Sequence, residues 1–143
     1  MTNAERATML VRALGAVLNG DAGTIRELCT EDVKVWTPAR SVSSLAELVA
    51  EVERREDAFS DIDLEARPLD VGRDRACAEW SVAMTHSGPL TLAGGEVVEA
   101  TGTRVTLNGA TVAEFRADRI CAARQYWDEL AVFEQVGLLT DDD

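Results

Sequence analysis

The sequence contains no apolar run approaching the roughly 20 residues that a membrane-spanning helix requires. Its opening, Met1-Thr2-Asn3-Ala4-Glu5-Arg6, lacks the basic-then-apolar layout of a secretory signal. Together these absences give the expectation of a cytoplasmic protein that does not engage a membrane. Cysteine is scarce: Cys29, Cys77 and Cys121 are odd in number, widely spaced and without a CxxC pair, which fits reduced, packed thiols better than a disulfide framework or a zinc site. His86 is the single histidine, so no metal-ligand cluster is in view, and no nucleophile motif stands beside it to build a triad. Positive charge is outnumbered, with 14 Lys and Arg against 26 Asp and Glu and a formal net charge of −12. That field repels phosphate backbones and anionic lipid surfaces. Nucleic acid is therefore not an expected partner, and no glycine-rich phosphate loop appears that would hold a nucleotide cofactor; the expectation is chemistry without a cofactor.

What remains is an ordinary globular composition, 46% hydrophobic and 28% charged, in 143 residues. That length suits one core, expected to span residues 1–143 with an acidic tail frayed over residues 140–143. Ala7, Leu10, Val11, Leu14, Val17 and Leu18 recur at three- and four-residue steps. The stripe predicts an amphipathic helix from Asn3 to Asn19, capped by Asn3 and ended by Gly20. A short helix over Thr24 to Cys29 and a strand over Asp32 to Thr37 follow. Ser44-Leu45-Ala46-Glu47 reads as a capping box opening a helix that carries Leu48, Val49, Val52 and Phe59 and runs to about Ala58. The period then changes to two, predicting strands over Ile62 to Pro68, Arg75 to His86, Arg104 to Arg116 and Ile120 to Trp127. Asn108-Gly109 is read as a bend or bulge inside one long strand, and Ala117-Asp118-Arg119 as the turn. A last helix from Glu129 to Val136 ends at Gly137. This order gives an α+β fold in which helices cover one face of a curled sheet and leave a cavity for a small ligand.

The second half carries Met84-Thr85-His86-Ser87-Gly88, Thr101-Gly102-Thr103-Arg104, Phe115-Arg116-Ala117-Asp118-Arg119-Ile120, Tyr126-Trp127-Asp128-Glu129-Leu130 and Gln135-Val136-Gly137-Leu138. These segments resemble the SnoaL-like group of the NTF2-like superfamily. Its pattern runs His-x-Gly, Thr-Gly-Arg, Phe-Arg-Asp-Gly-Lys/Arg-Ile, then an aromatic-Asp pair opening a helix that ends in Gln-x-Gly-Leu. Arg119 departs from it by replacing the usual turn glycine, and Thr103 by standing between Gly102 and Arg104. The likeness covers residues 84–138 by motif and the rest by element order. It implies an NTF2-like cone, a curled mixed or antiparallel sheet wrapped around a pocket covered by N-terminal helices. It implies chemistry less sharply, because the superfamily includes polyketide cyclases, epoxide hydrolases, isomerases, dehydratases and ligand-binding proteins.

Uninterrupted alternation along the last strand puts Ile120, Ala122, Arg124, Tyr126 and Asp128 on one face, and Cys121, Ala123, Gln125 and Trp127 on the other. The resemblance nominates Asp128 as the acid/base that removes a proton α to a carbonyl, a role that needs a carboxylate in a partly apolar pocket. The competing reading makes Asp128 the N-cap of the last helix. His86 shares a face with Trp80, Val82 and Met84; it is a candidate acid, base or donor to an enolate oxygen, or else a structural residue near the Gly88-Pro89 turn. Trp36, Trp80 and Tyr126 are candidate aromatic walls, with Arg124 beside them, against core packing for the tryptophans. Glu114 is a second carboxylate that faces either cavity or solvent.

The implied function is cofactor-free acid/base catalysis of the polyketide-cyclase type on a small hydrophobic carbonyl compound, with a small hydrophobic or aromatic ligand as partner. The alternative is a non-catalytic small-molecule-binding or dimerisation module. A second alternative is an epoxide hydrolase-like enzyme. Arg124-Gln125-Tyr126-Trp127-Asp128 is similar to the Arg-Asp-Tyr-Phe-Asp stretch of limonene-epoxide-hydrolase-like enzymes, but the accompanying Arg-x-Asp, Arg116-Ala117-Asp118, falls in a turn. The outer sheet face, assigned Cys121, Ala123 and Trp127, is too apolar for water and predicts a homodimer.

Overall fold

The computed structural model describes residues 1–54, 58–92 and 94–138; the acidic tail lies outside them. Helix α1 (Asn3–Asn19) starts at a full capping box on Thr2, one residue before the expected cap. The Thr2 hydroxyl accepts from Glu5 N at 3.1 Å while the Glu5 carboxylate accepts from Thr2 N at 3.3 Å, satisfying two orphan donors reciprocally. Gly20 ends the helix in the left-handed region, φ 70°. Helix α2 (Ala22–Leu28) starts earlier than expected because Asp21 caps it, accepting from the hydroxyl and the N–H of Thr24. Those bonds hold the Asp21 carboxyl below its ordinary value. Strand β1 (Cys29–Trp36), strand β2 (Ser41–Val42) and helix α3 (Leu45–Glu53) follow.

Helix α3 stops at Glu53, short of the expected Ala58. The physical reason is a backbone commitment further on. Ala58 O accepts from Ser87 N and Gly88 N, and Phe59 opens a strand opposite His86, so Ala58 and Phe59 are bound to the sheet where a helix end was expected; residues 55–57 of that expected helix lie outside the described residues. That strand is β3 (Phe59–Gly72), joined by β4 (Arg75–His86), the short pair β5 (Leu90–Thr91) and β6 (Val97–Val98), β7 (Arg104–Arg116), β8 (Arg119–Trp127) and helix α4 (Glu129–Gln135). Six strands form one sheet in the order β2-β1-β8-β7-β4-β3. It is antiparallel except where β1 runs parallel to β8. That long-range pairing extends β1 back to Cys29, beyond its alternating stretch. Helix α1 packs on β3 and β4, α3 on β1, and α2 bridges the two helices. The architecture is α+β, with the buried rows Trp80, Val82, Met84 and Val105, Ala113, Phe115 forming the concave face.

Gly109 is not a bulge: β4 and β7 stay in register from Arg75 opposite Glu114 to Thr85 opposite Arg104. Glycine is needed because a Cβ there would collide with the Trp80 ring and with the backbone oxygen of Tyr126. The indole is also pinned from its edge, Nε1–H donating to the buried Thr111 hydroxyl at 2.9 Å. The irregularity sits one strand over. Glu114 faces Ala122, and the next pair is Phe115 with Ile120, which leaves Cys121 as the extra residue of a bulge.

The last helix is tied to the sheet by one side chain. Strand β8 ends at Trp127 opposite Gly109, so the first residues of β7 have no β8 partner. Gln135 takes that place: its Oε1 accepts from Thr106 N at 2.8 Å and its Nε2 donates to Thr106 O at 2.9 Å, as a neighbouring peptide group would.

Gln135→Ala is expected to cost about 1–2 kcal/mol in urea denaturation, because both Thr106 backbone groups lose their partner; a change under about 0.3 kcal/mol would show that the clamp contributes nothing. Gly109→Ala is expected to cost roughly 1–3 kcal/mol by overpacking and to shift tryptophan fluorescence as Trp80 is displaced. An unshifted spectrum at full stability would refute the close-approach account.

Candidate functional site

Between α1 and the concave face lies a cavity of about 180 Å³. Leu14, Val17 and Leu18, from the apolar stripe of α1, roof it. Leu64, Val82, Met84 and Leu107 from three strands floor it, and the rings of Trp80 and Trp127 wall it, centroids 6.4 Å apart and tilted 56°. A single polar side chain reaches this cavity, Gln125, and no titratable side chain lines it among the described residues. The Gln125 amide makes no hydrogen bond to any described residue, and the small part of it that faces this cavity is open to a ligand's hydrogen bond. Volume sets the scale. Apolar cavities of ~150 Å³ stay dry and take up a benzene-sized molecule, whereas drug-sized ligands need roughly 300 Å³ or more. One ring fits here; a fused polycycle does not.

The sequence-predicted residues divide around this cavity. Trp80 is in its wall. Trp36 and Tyr126 stack at 5.3 Å on the opposite, convex face of the sheet, 44% and 47% exposed. Arg124, paired with Trp36 across the parallel ladder, is exposed beside them. Glu114 also points outward, in an ion pair with Arg75 at 3.3 Å. Asp128 is exposed and caps α4, its carboxylate accepting from Ala131 N at 3.3 Å; it does not line the cavity. His86 is fully buried, on the face of β4 that carries Trp80, Val82 and Met84 but not in the cavity lining. Its Nδ1 lies 2.9 Å from the Thr101 hydroxyl and accepts from Thr101 N at 3.3 Å, while its ring packs on Phe59. An Nδ1 that accepts leaves the proton on Nε2, which is buried and unpartnered.

The structure thus gathers Trp36, Arg124 and Tyr126, but on the outside, and keeps Asp128, His86 and Glu114 apart from one another. The face assignment for the last strand is inverted. Ala123, Gln125 and Trp127 point inward, and Ala122, Arg124 and Tyr126 outward, because the bulge at Cys121 shifts the alternation by one residue. Gln125 and Trp127 are the residues that strict alternation misses. A signal for Gln125 was present in the likeness to the Arg-Asp-Tyr-Phe-Asp stretch, whose first acid corresponds to Gln125 by position; this chain presents an amide inward where that stretch has a carboxylate.

Burial pushes the Cys29 thiol up to about 11, so it stays protonated at neutral pH and is a poor nucleophile. No group of three or more His, Cys, Asp or Glu side chains is arranged to hold a metal ion among the described residues, and no described helix is long and apolar enough to cross a membrane.

Comparison with solved structures shows the fold. AclR from Streptomyces galilaeus matches with a TM-score of 0.78 at 24% identity, over 99% of this chain and 87% of its own. A protein from Jannaschia sp. CCS1, named as a SnoaL-like polyketide cyclase, matches with a TM-score of 0.79 at 15% identity, over 96% and 95%. An LEH-like epoxide hydrolase of M. tuberculosis matches with a TM-score of 0.69 at 15% identity, over 94% and 90%. No curated protein matches the sequence. The NTF2-like cone implied by the sequence motifs is therefore the fold. The family model described as a SnoaL-like domain matches residues 10–123, and the chain belongs to the SnoaL-like domain family.

Proposed function

We propose that this protein binds a small, uncharged, hydrophobic molecule bearing a carbonyl or hydroxyl group, its ring between Trp80 and Trp127 and its oxygen on the Gln125 amide. The observation that carries this is an amide without a described partner facing a cavity that is otherwise apolar. The amide is half-buried rather than sealed from water, and a ligand oxygen or N–H placed on it exchanges a water hydrogen bond for a direct one. A charged ligand would lose its hydration with no counter-charge in the lining to replace it, so the ligand is neutral. A cytoplasmic setting is part of this reading.

A second reading is catalytic, and two observations favour it. Solved relatives in the fold are named as a polyketide cyclase and an epoxide hydrolase, and Asp128 directly follows the wall residue Trp127. In this reading Asp128 releases Ala131 N–H, turns about the end of β8 and shuttles a proton at a carbonyl compound held against Trp127; His86 and Tyr126, neither of which lines the cavity, have no part in it.

The outer sheet face is proposed as a homodimer surface. Its apolar part is the exposed Trp36 and Tyr126 pair with Ala110, Val112 and Ala122 beside it, a different set from the one strict alternation gave.

Gln125→Leu is expected to weaken binding of acetophenone by about 3- to 10-fold in calorimetry, the worth of one hydrogen bond, while Asp128→Asn leaves it unchanged. If a carbonyl substrate is turned over and Asp128→Asn removes ~10²–10⁴-fold of that activity with the fold intact, the catalytic reading replaces the binding one. Sedimentation at micromolar concentration is expected to give a dimer that Trp36→Glu converts to monomer; a monomeric wild type would end the dimer proposal.

A further inference from the structure

Gln125 belongs to more than one cavity. A second space of about 280 Å³ opens between β1, β2 and α3, walled by Val35, Val42, Leu48 and Val52, with Arg40 and Glu51 among its lining residues. A void of about 40 Å³ lies beneath it and the first cavity. Two side chains line all three spaces, Val17 of α1 and Gln125 of β8. They are the partition between the Trp80–Trp127 compartment and the Arg40–Glu51 compartment.

We infer that the two compartments are halves of one ligand site, gated by the Gln125 side chain. The ligand class is an elongated neutral molecule: a ring between the tryptophans, an apolar arm passing Gln125, and an acceptor oxygen at Arg40. The inference rests on the binding reading above and extends it. Three features support it. First, Gln125 is held by no hydrogen bond to a described residue, so rotating its side chain costs little and joins the compartments.

Second, the far end has a donor at its mouth, the Arg40 side chain, which is 60% exposed. Arg40 is positioned through its backbone, its N–H donating to the Thr37 hydroxyl at 3.0 Å while its carbonyl accepts from Thr37 N at 3.0 Å. Its guanidinium spans from the β1–β2 turn to α3, where Nη1 donates to both oxygens of Glu51. Nη2 and Nε make no hydrogen bond to a described residue, and their N–H groups are free for an acceptor. Third, the charge is already balanced. Glu51 neutralises Arg40, and the chain carries a net −12, so an uncharged ester or ketone oxygen is favoured there over a carboxylate.

Four probes and two variants test this by calorimetry on the intact protein: acetophenone (ring, no arm), methyl 6-phenylhexanoate (ring, arm and ester), hexylbenzene (no oxygen) and 6-phenylhexanoate (anion). Wild type is expected to bind the ester at least ~10-fold tighter than acetophenone, since each buried methylene adds up to about 4-fold. The ester should also exceed both hexylbenzene and the anion. Arg40→Met, which keeps the apolar stem, is expected to erase the ester's advantage over hexylbenzene and leave acetophenone unaffected. Glu51→Gln, which frees the guanidinium, is expected to raise binding of the anion by ~5-fold or more. If acetophenone binds and the ester binds no tighter, the second compartment is not part of the site and the one-ring reading stands alone. If the ester binds tightly but neither variant changes the pattern, Arg40 does not receive the oxygen and the ligand class is wrong. If no probe binds, both the extension and the reading it rests on fail.

Discussion

Cys121, the unpaired residue of β8, decides which half of that strand's side chains meets the cavity. In an antiparallel ladder each added residue exchanges inside for outside. The Phe115–Ile120 pair is set by burial, at 5% and 3% exposure. Beyond Cys121 the inward positions become Ala123, Gln125 and Trp127. Without the extra residue, Arg124 and Tyr126 would project toward Leu14, Val17 and Leu18, and an unpaired guanidinium in that setting would oppose folding. The bulge is held in part by its own side chain, with Cys121 Sγ donating to Glu114 O at 3.5 Å. Its effect is to keep cationic and phenolic groups on the surface and to turn a neutral amide toward the Trp80–Trp127 cavity.

Around that amide the walls are preset. Trp80 lies between the missing Cβ of Gly109 and the hydroxyl of Thr111, two constraints that leave its ring one orientation. Trp127 is placed by the pairing of β8 with Gly109. The roof residues of α1 are the same stripe that builds the core. A site of fixed rings and one free amide spends little on ordering when a ligand enters, which is the general advantage of preorganisation.

Electrostatics shape the outside more than the inside. The described ion pairs, such as Arg116–Asp32 and Arg104–Asp63, join distant strands at 3.0 Å, and the Asp32 and Asp63 carboxylates are largely exposed; pairs of that kind contribute little each. The Thr30 hydroxyl and Arg116 hold the Asp32 carboxyl below its ordinary value, so what stability it adds is present above the unfolded carboxylate range and lost as pH falls through the folded value. None of these charges lines the Trp80–Trp127 cavity, and the large negative net charge governs which molecules approach rather than which are held.

Local patterns determined much of the fold. The helical stripe of α1, the limits of β4 and β7 and the final helix read correctly because periodicity and caps act over a few residues. Gln135 stood out in the Gln-x-Gly-Leu motif, although its use as a stand-in peptide partner for Thr106 is visible only once α4 is docked. Trp80 and the stripe of α1 were legible as buried. The inward position of Gln125 was not, nor were the end of α3, the reason for Gly109 or the outward turn of Trp36 and Tyr126. Each of these depends on a partner far away in the chain: Ser87 and Gly88 for Ala58, Trp80 for Gly109, and Glu114 for the residue beyond Ile120. Cys121, Ala122 and Ala123 are all small, so size and polarity carry no mark of the bulge. The sequence by itself determined that a cone with an apolar pocket would form; tertiary pairing alone decided which side of β8 faces it, because in a strand the face of every residue depends on register with its neighbour.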